Sequence, residues 1–320
     1  MKKSGLLAVF LLLVNLSAGA ESENERTHSF TFGASFGLQS GAAEEVVYRN
    51  GSGDNYVSQL LWQFKPLLLA GVELRYAWKK REDSSSILAS IFSGFFVDAS
   101  FKYGLPSERG LMEDRDWQRP QQPGWLTDYS FHNNTTNTAM LAGLEIGKSF
   151  FPYNEFRLSL FLSYRFMQYS FAASGGSFLY PDGHTYEPSP DNIVTYKQTW
   201  HILAPGVSFY GAFNRYFDIE LFFKASPLIL VSSFDEHLDR HFEIINDTMF
   251  GGLFIEPGLV FSFKPVSIFI LSFSLNYSYI NGARGNSTYK YPASTNTYMN
   301  VGGAGYSAFD IGLAVKFRAL

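Results

Sequence analysis

The stretch from Phe269 to Tyr279, FILSFSLNYSY, decides the fold. Phe269, Leu271, Phe273, Leu275, Tyr277 and Tyr279 share one side of an extended chain, and Ser272, Ser274, Asn276 and Ser278 share the other. A period of two is the signature of a strand. The same alternation sets Phe217, Ile219, Leu221 and Phe223 against Asp218, Glu220 and Lys224, and Leu158, Leu160, Leu162 and Tyr164 against Ser159, Ser163 and Arg165. Near the C-terminus Phe309, Ile311, Leu313, Val315 and Phe317 alternate with Asp310, Gly312, Ala314 and Lys316. A charged side chain facing lipid is costly, so the apolar set is predicted to face outward.

Ten such segments are predicted, near 29–40, 56–79, 87–103, 136–150, 156–180, 192–213, 216–232, 247–263, 267–282 and 305–318. The number is even, and tight connections (80–86, 151–155, 214–215, 264–266) alternate with long polar ones. Short turns on one rim and long loops on the other are the pattern of outer-membrane barrels. The predicted fold class is therefore all-β, a ten-stranded antiparallel transmembrane β-barrel. A soluble β-sandwich is the alternative, but its strands are shorter and its outward faces polar.

Composition agrees with a barrel. The 320 residues include 32 Phe and 19 Tyr, yet mean hydropathy is −0.05, as expected where lipid-facing and lumen-facing residues alternate. The opening MKKSGLLAVFLLLVNLSAGA has a basic start, a short apolar run and small residues at Ala18 and Ala20, so residues 1–20 are predicted to be a secretory signal peptide and 21–320 a single barrel domain. Without Lys2 and Lys3 the basic residues fall from 25 to 23 against 29 acids, a formal charge of −6, which argues against nucleic acid. The absence of cysteine excludes disulfides and thiolate zinc sites.

Two segments carry candidate chemistry. Leu111 to His132, LMEDRDWQRPQQPGWLTDYSFH, holds Asp114 and Asp116 beside Trp117 in a Pro-, Gly- and Gln-dense setting that predicts a long loop. Carboxylates at i and i+2 on extended backbone point the same way, and such a pair can share a proton. Asp235-Glu236-His237, predicted to open another loop on the same rim, aims Asp235 and His237 to one side, where the carboxylate orients the imidazole and favours its cation. A closed barrel lets the two halves face each other across its mouth. Asp128, Ser130 and His132 also suggest a serine hydrolase, but there is no nucleophile elbow. No HExxH spacing supports a metal site. His28 and His184 read as solvated, and His201 and His241 have no evident partner.

Together these motifs resemble the omptins, ten-stranded outer-membrane aspartyl endopeptidases that cut peptides at basic residues. The resemblance rests on Glu45-Val46-Val47-Tyr48, Val57-Ser58-Gln59-Leu60 with Trp62, Asp114-Arg115-Asp116-Trp117, and Pro123-Gly124 with Thr127-Asp128, Ser130 and His132. It continues through Tyr169-Ser170-Phe171, Gly175-Gly176-Ser177, Tyr196-Lys197-Gln198 and Asp235-Glu236-His237 with Asp239. It implies an active site at the extracellular rim of a bacterial outer membrane, with Asp114, Asp116, Asp235 and His237 catalytic, Glu45 and Asp128 binding substrate, and no cofactor or metal. The implied partners are cationic peptide or protein substrates and outer-membrane lipid. A non-catalytic acidic-mouthed barrel that binds cationic ligands is the alternative, and a passive pore a third.

The departures from the family pattern are specific. The aspartate expected two residues before the dyad is Ser233, leaving Glu45 as the one expected acid of the basic-residue pocket. Losing one charged hydrogen bond costs roughly 1.5–3 kcal/mol, which implies a looser basic preference. The Tyr-x-Glu-x-Arg run that binds lipopolysaccharide reads Tyr164, Phe166, Gln168, and the arginine expected after Tyr-Lys-Gln is Thr199, so activity is expected not to depend on that lipid. The chain ends Phe317-Arg318-Ala319-Leu320 rather than on an aromatic residue.

Overall fold

In the computed structural model, which describes residues 28–49, 55–78, 93–119, 124–150, 155–180, 183–186, 192–238 and 243–319, the strands hydrogen-bond into one antiparallel ring. They are β1 (His28–Tyr48), β2 (Tyr56–Trp78), β3 (Phe95–Gly104), β4 (Ser107–Asp116), β5 (Asp128–Phe150), β6 (Phe156–Leu179) and β7 (Thr185–Tyr186). There follow β8 (Asn192–Ala212), β9 (Phe217–Ser226), β10 (Ile229–His237), β11 (Glu243–Phe250), β12 (Leu253–Val266), β13 (Phe269–Tyr291) and β14 (Ser294–Ala319). They form ten legs, because β3 continues into β4, β9 into β10 and β11 into β12, while the two-residue β7 only pairs antiparallel with the end of β6. β14 pairs with β1 from Phe30↔Ala319 to Val47↔Gly302, which closes the ring and removes the sheet edges.

Each interrupted leg has a local cause. Pro106 and Pro227 lack the N–H that a ladder needs. At the second break Ser226 Oγ accepts the Leu228 N–H at 2.8 Å and donates to the Leu203 carbonyl at 2.6 Å, which repairs the lost pairing. The third falls at Gly251 and Gly252, whose φ angles of +83° and +96° suit glycine.

The side chains face as predicted. Leu221, Phe223, Phe273, Tyr277, Phe309, Ile311 and Leu313 are exposed on the outside, whereas Asp218, Ser272 and Ser278 are buried within. The apolar belt ends near Leu38, Leu105, Leu230, Phe250 and Leu253; above it the outward positions turn polar, as at Ser232 and Thr248. The strands do not end there. β5 begins at Asp128 rather than near 136, β9 and β10 carry their leg to His237, β13 runs to Tyr291, and β14 starts at Ser294. Lipid no longer imposes apolar-out alternation on these extensions, so the period that announced the strands disappears from the sequence while the ladder persists. The predicted segment at 87–92, the turns at 80–86 and 151–154 and the predicted signal peptide lie outside the described residues. The turn predicted at 264–266 lies later, between Val266 and Phe269.

Two layers fill the lumen. In the lower one Glu256 pairs with Arg165 and, at 3.0 Å, with Lys224, which also reaches Glu145 at 2.6 Å. Arg75 meets Asp98 at 3.3 Å, Lys316 meets Glu73 at 2.7 Å, and Lys264 pairs with Asp218. Above it Trp62 stacks on Tyr196 (5.1 Å between ring centroids) and Phe171 (5.6 Å), and Phe64 stacks on Tyr169 (5.3 Å). These rings are buried and form the floor of the mouth.

Candidate active site

Every odd-numbered leg of the barrel runs toward the same rim, so the C-terminal ends of β4 and β10 rise together. Between them around one side of the ring lie β5, β6 and β8, which sets the two ends nearly opposite each other. Asp114 and Asp116 close β4, and Asp235 and His237 close β10. The sequence predicts loops for both pairs; the structure puts them on strands. The Pro- and Gln-rich signal belongs only to the residues after Asp116, and the backbone of the acids themselves is held by β2 and β5, through Leu60↔Asp114↔Ser130 and Ser58↔Asp116↔Asp128. A strand fixes the i, i+2 geometry more firmly than a loop could.

Within each half the contacts are direct. His237 Nε2 lies 2.9 Å from Asp235 Oδ2, with both residues buried. In the neutral ring the proton on Nε2 donates to this carboxylate, leaving Nδ1 as the basic nitrogen. Across the mouth, Ser58 Oγ donates to Asp114 Oδ1 at 3.4 Å and Gln118 Nε2 to Asp116 Oδ2 at 3.0 Å. Asp128 opens β5 and joins Asp114, Asp116, Gln118, Tyr129, Ser130, Phe178 and Tyr180 around a cleft of about 240 Å³.

Glu45 sits on β1, not in a loop, and only 1 % of it is exposed. Burial, and then the charges of Asp235, Asp247 and Asp114, push its carboxyl well above the ordinary range. It thus senses both halves of the mouth. Asp247, which sequence reasoning does not single out, lies on β11 in register with Ser233 on one side and Ser287 on the other. Its period-two neighbours Ile245 and Met249 are buried, and an acid on such an inward face is the available signal.

The histidines also differ from expectation. His201 Nδ1 lies 2.8 Å from Tyr164 Oη and its ring meets Phe166 edge-on at 5.4 Å, so it has partners. His28, though exposed, stacks on Tyr76 and Trp78 and bonds Tyr76 Oη at 2.7 Å. His132 lies on β5 with Nε2 at 2.8 Å from Ser130 Oγ and Nδ1 at 2.6 Å from the Gly175 carbonyl. A backbone carbonyl thus orients the ring from the place that a serine triad would give to an acid. His241 and Asp239 lie outside the described residues.

A closed ring of ten legs, an apolar belt and a mouth built above it define an outer-membrane β-barrel. Sequence comparison places it further: the chain belongs to the Omptin family, whose sequence profile matches residues 26–319. It is 28 % identical over 247 residues to the plasminogen activator of Yersinia pestis, covering 75 % of this chain and 74 % of that one. Protease 7 of Escherichia coli O157:H7 is likewise 28 % identical over 247 residues, covering 74 % and 73 %. The crystal structure of the outer membrane protease OmpT from Escherichia coli shares the fold, with a TM-score of 0.81 over 94 % of this chain and 99 % of that one at 20 % identity.

Proposed function

We propose that this barrel is an endopeptidase whose active site lies at the extracellular rim, with water activated by Asp235 and His237 opposite Asp114 and Asp116. The family relationship makes it an outer-membrane protease acting on peptides or proteins. The observation that carries the mechanism is the buried 2.9 Å bond between His237 Nε2 and Asp235 Oδ2, on the opposite side of the mouth from two acids at i, i+2. His237 Nδ1 takes a proton from water as the water oxygen attacks the scissile carbonyl carbon, and Asp235 stabilises the imidazolium. A proton shared by Asp114 and Asp116 is donated in a hydrogen bond to the carbonyl oxygen as its negative charge develops. The imidazolium then protonates the leaving nitrogen as the C–N bond breaks.

Glu45 and Asp128 would receive the residues before and after the cut. Buried acids at the mouth favour a basic residue before it. Profiling the refolded barrel against a random peptide library tests the reading: cleavage enriched in Arg or Lys at the cut is expected. No cleavage at all would leave the cation-binding barrel in its place, and cleavage without basic enrichment would remove Glu45 from its role. The aromatic floor and the ion pairs beneath it oppose the pore reading. On the exterior, Gln168 Nε2 donates to Thr199 Oγ1 at 3.1 Å, so this pair is bonded to itself and brings no cation to a phosphate. Equal activity after refolding with and without lipopolysaccharide is expected, and a strict requirement would refute it.

A further inference from the structure

We propose that Asp247 supplies, from the strand beside β10, the second carboxylate of the well that receives the basic side chain before the cut, in place of the acid absent at Ser233. This rests on the proteolytic reading above and specifies its substrate pocket. Ser233 sits two residues before Asp235 on β10, and the same face of the sheet continues directly onto Asp247 through the Ser233↔Asp247 pair. Ser233 Oγ donates to Asp247 Oδ2 at 3.0 Å. The hydroxyl therefore does not leave a gap in the acidic wall; it holds the carboxylate one strand over. Asp247 is 3 % exposed, flanked by Ser287 on β13, and its Oδ1 faces the backbone of Gly302 on β14. A Cβ at Gly302 would stand 2.8 Å from Ser287 Oγ and 3.3 Å from Asp247 Cγ, so only glycine lets β14 pass this close to the acid.

The well has a second mark of a ligand site. Glu45 Oε2 and Asp235 Oδ1 are buried and have no hydrogen-bond partner among the described residues. The charges acting most on Glu45 come from other acids, Asp235, Asp247 and Asp114. Buried carboxylates that face one another without a counter-charge are unfavourable, and a cation arriving from outside removes the penalty. A guanidinium carries five donors in a planar fork, so it can satisfy carboxylates on two different strands at once. The basic preference is therefore expected to be as tight as that of a two-acid pocket, contrary to the looser preference that Ser233 alone implies.

The test uses the purified full-length barrel in detergent and two peptides that differ only in Arg or Gln before the cut. The readout is the ratio of their kcat/KM values. Asp247→Asn should lower that ratio about ten- to a hundredfold, the discrimination carried by one charged hydrogen bond. The exchanged variant Ser233→Asp/Asp247→Ser should restore it by returning the acid to β10, and it provides a second reading should Asp247→Asn fail to fold. A merely structural role for Asp247 would depress both peptides together and leave the ratio unchanged, which would overturn the inference while the proteolytic reading stands. A parent barrel that cuts both peptides equally would overturn the inference and the basic preference while proteolysis stands, and one that cuts neither would overturn the proteolytic reading as well.

Discussion

The lower lumen and the mouth of this barrel bury acids in opposite ways. Below the aromatic floor each acid in an ion pair has a cation beside it: Glu256 has Arg165 and shares Lys224 with Glu145, Asp98 has Arg75, Glu73 has Lys316 and Asp218 has Lys264. Above it Glu45, Asp235 and Asp247 are as deeply buried, but the dominant charges around Glu45 are negative. Desolvating an ion costs several kcal/mol in either place. In the lumen that cost is offset inside the molecule. At the mouth it is offset in part by protonation and, in the proposed mechanism, by the substrate. Between the two, Trp62, Phe171 and Tyr196 keep the acids of the mouth from borrowing the cations of the lumen.

Two substitutions separate the regions. His237→Ala should lower kcat by about 10²- to 10⁴-fold, the range of a general base, while heat-modifiable gel mobility still reports a folded barrel. Glu256→Ala should do the reverse. It leaves Arg165 and Lys224 without their shared carboxylate and is expected to destabilise the barrel by roughly 3–5 kcal/mol, seen as an earlier loss of the compact gel form on heating. The molecules that remain folded should keep the parent's Arg-to-Gln selectivity. If His237→Ala instead mainly destabilised the barrel, or Glu256→Ala mainly changed selectivity, the division between structural and functional charges would fail.

How much of this is legible in the sequence follows from the same division. Within the belt, lipid on one side and polar lumen on the other impose period two, so FILSFSLNYSY shows both its strand and its facing. Above the belt water lies outside, and Arg284 to Thr288 carry no alternation although β13 continues through them. Asp114, Asp235 and Glu45 are recognisable as a set only by resemblance, and the polar residues that follow Asp116 and His237 make strand ends look like loop. Asp247 escapes sequence reasoning for a different reason. Family patterns run along the chain, whereas Asp247 stands across the sheet from Ser233, on β11 beside β10, and cross-strand register cannot be read from one strand alone.

The smallest of the expected effects is a dependence of stability on pH at Asp247. Burial, opposed by the neighbouring hydroxyls of Ser287 and Ser233 and reinforced by Asp235, moves its carboxyl from 3.8 up to about 6. The folded barrel therefore holds this proton more tightly than the unfolded chain does. Stability from the site is greatest below about pH 4, falls as pH rises, and is fully lost above about pH 6. Asp247→Asn removes the titration and keeps an oxygen that can accept the Ser233 hydroxyl. The variant should thus match the parent near pH 4 and exceed it at pH 8 by an amount on the order of 2–3 kcal/mol, since each pH unit between 3.8 and about 6 is worth about 1.36 kcal/mol. Glu45 and Asp235 still face the position from β1 and β10, and part of the gain will pass through Glu45, which loses one of the charges that raise it. A paired lumen acid such as Glu256 should show the opposite sign, since its neutral variant loses cation contacts at pH 8. Heating both variants against the parent at the two pH values decides the matter: if Asp247→Asn is no more stable than the parent at pH 8, the acids of the mouth carry no excess charge for a substrate to neutralise.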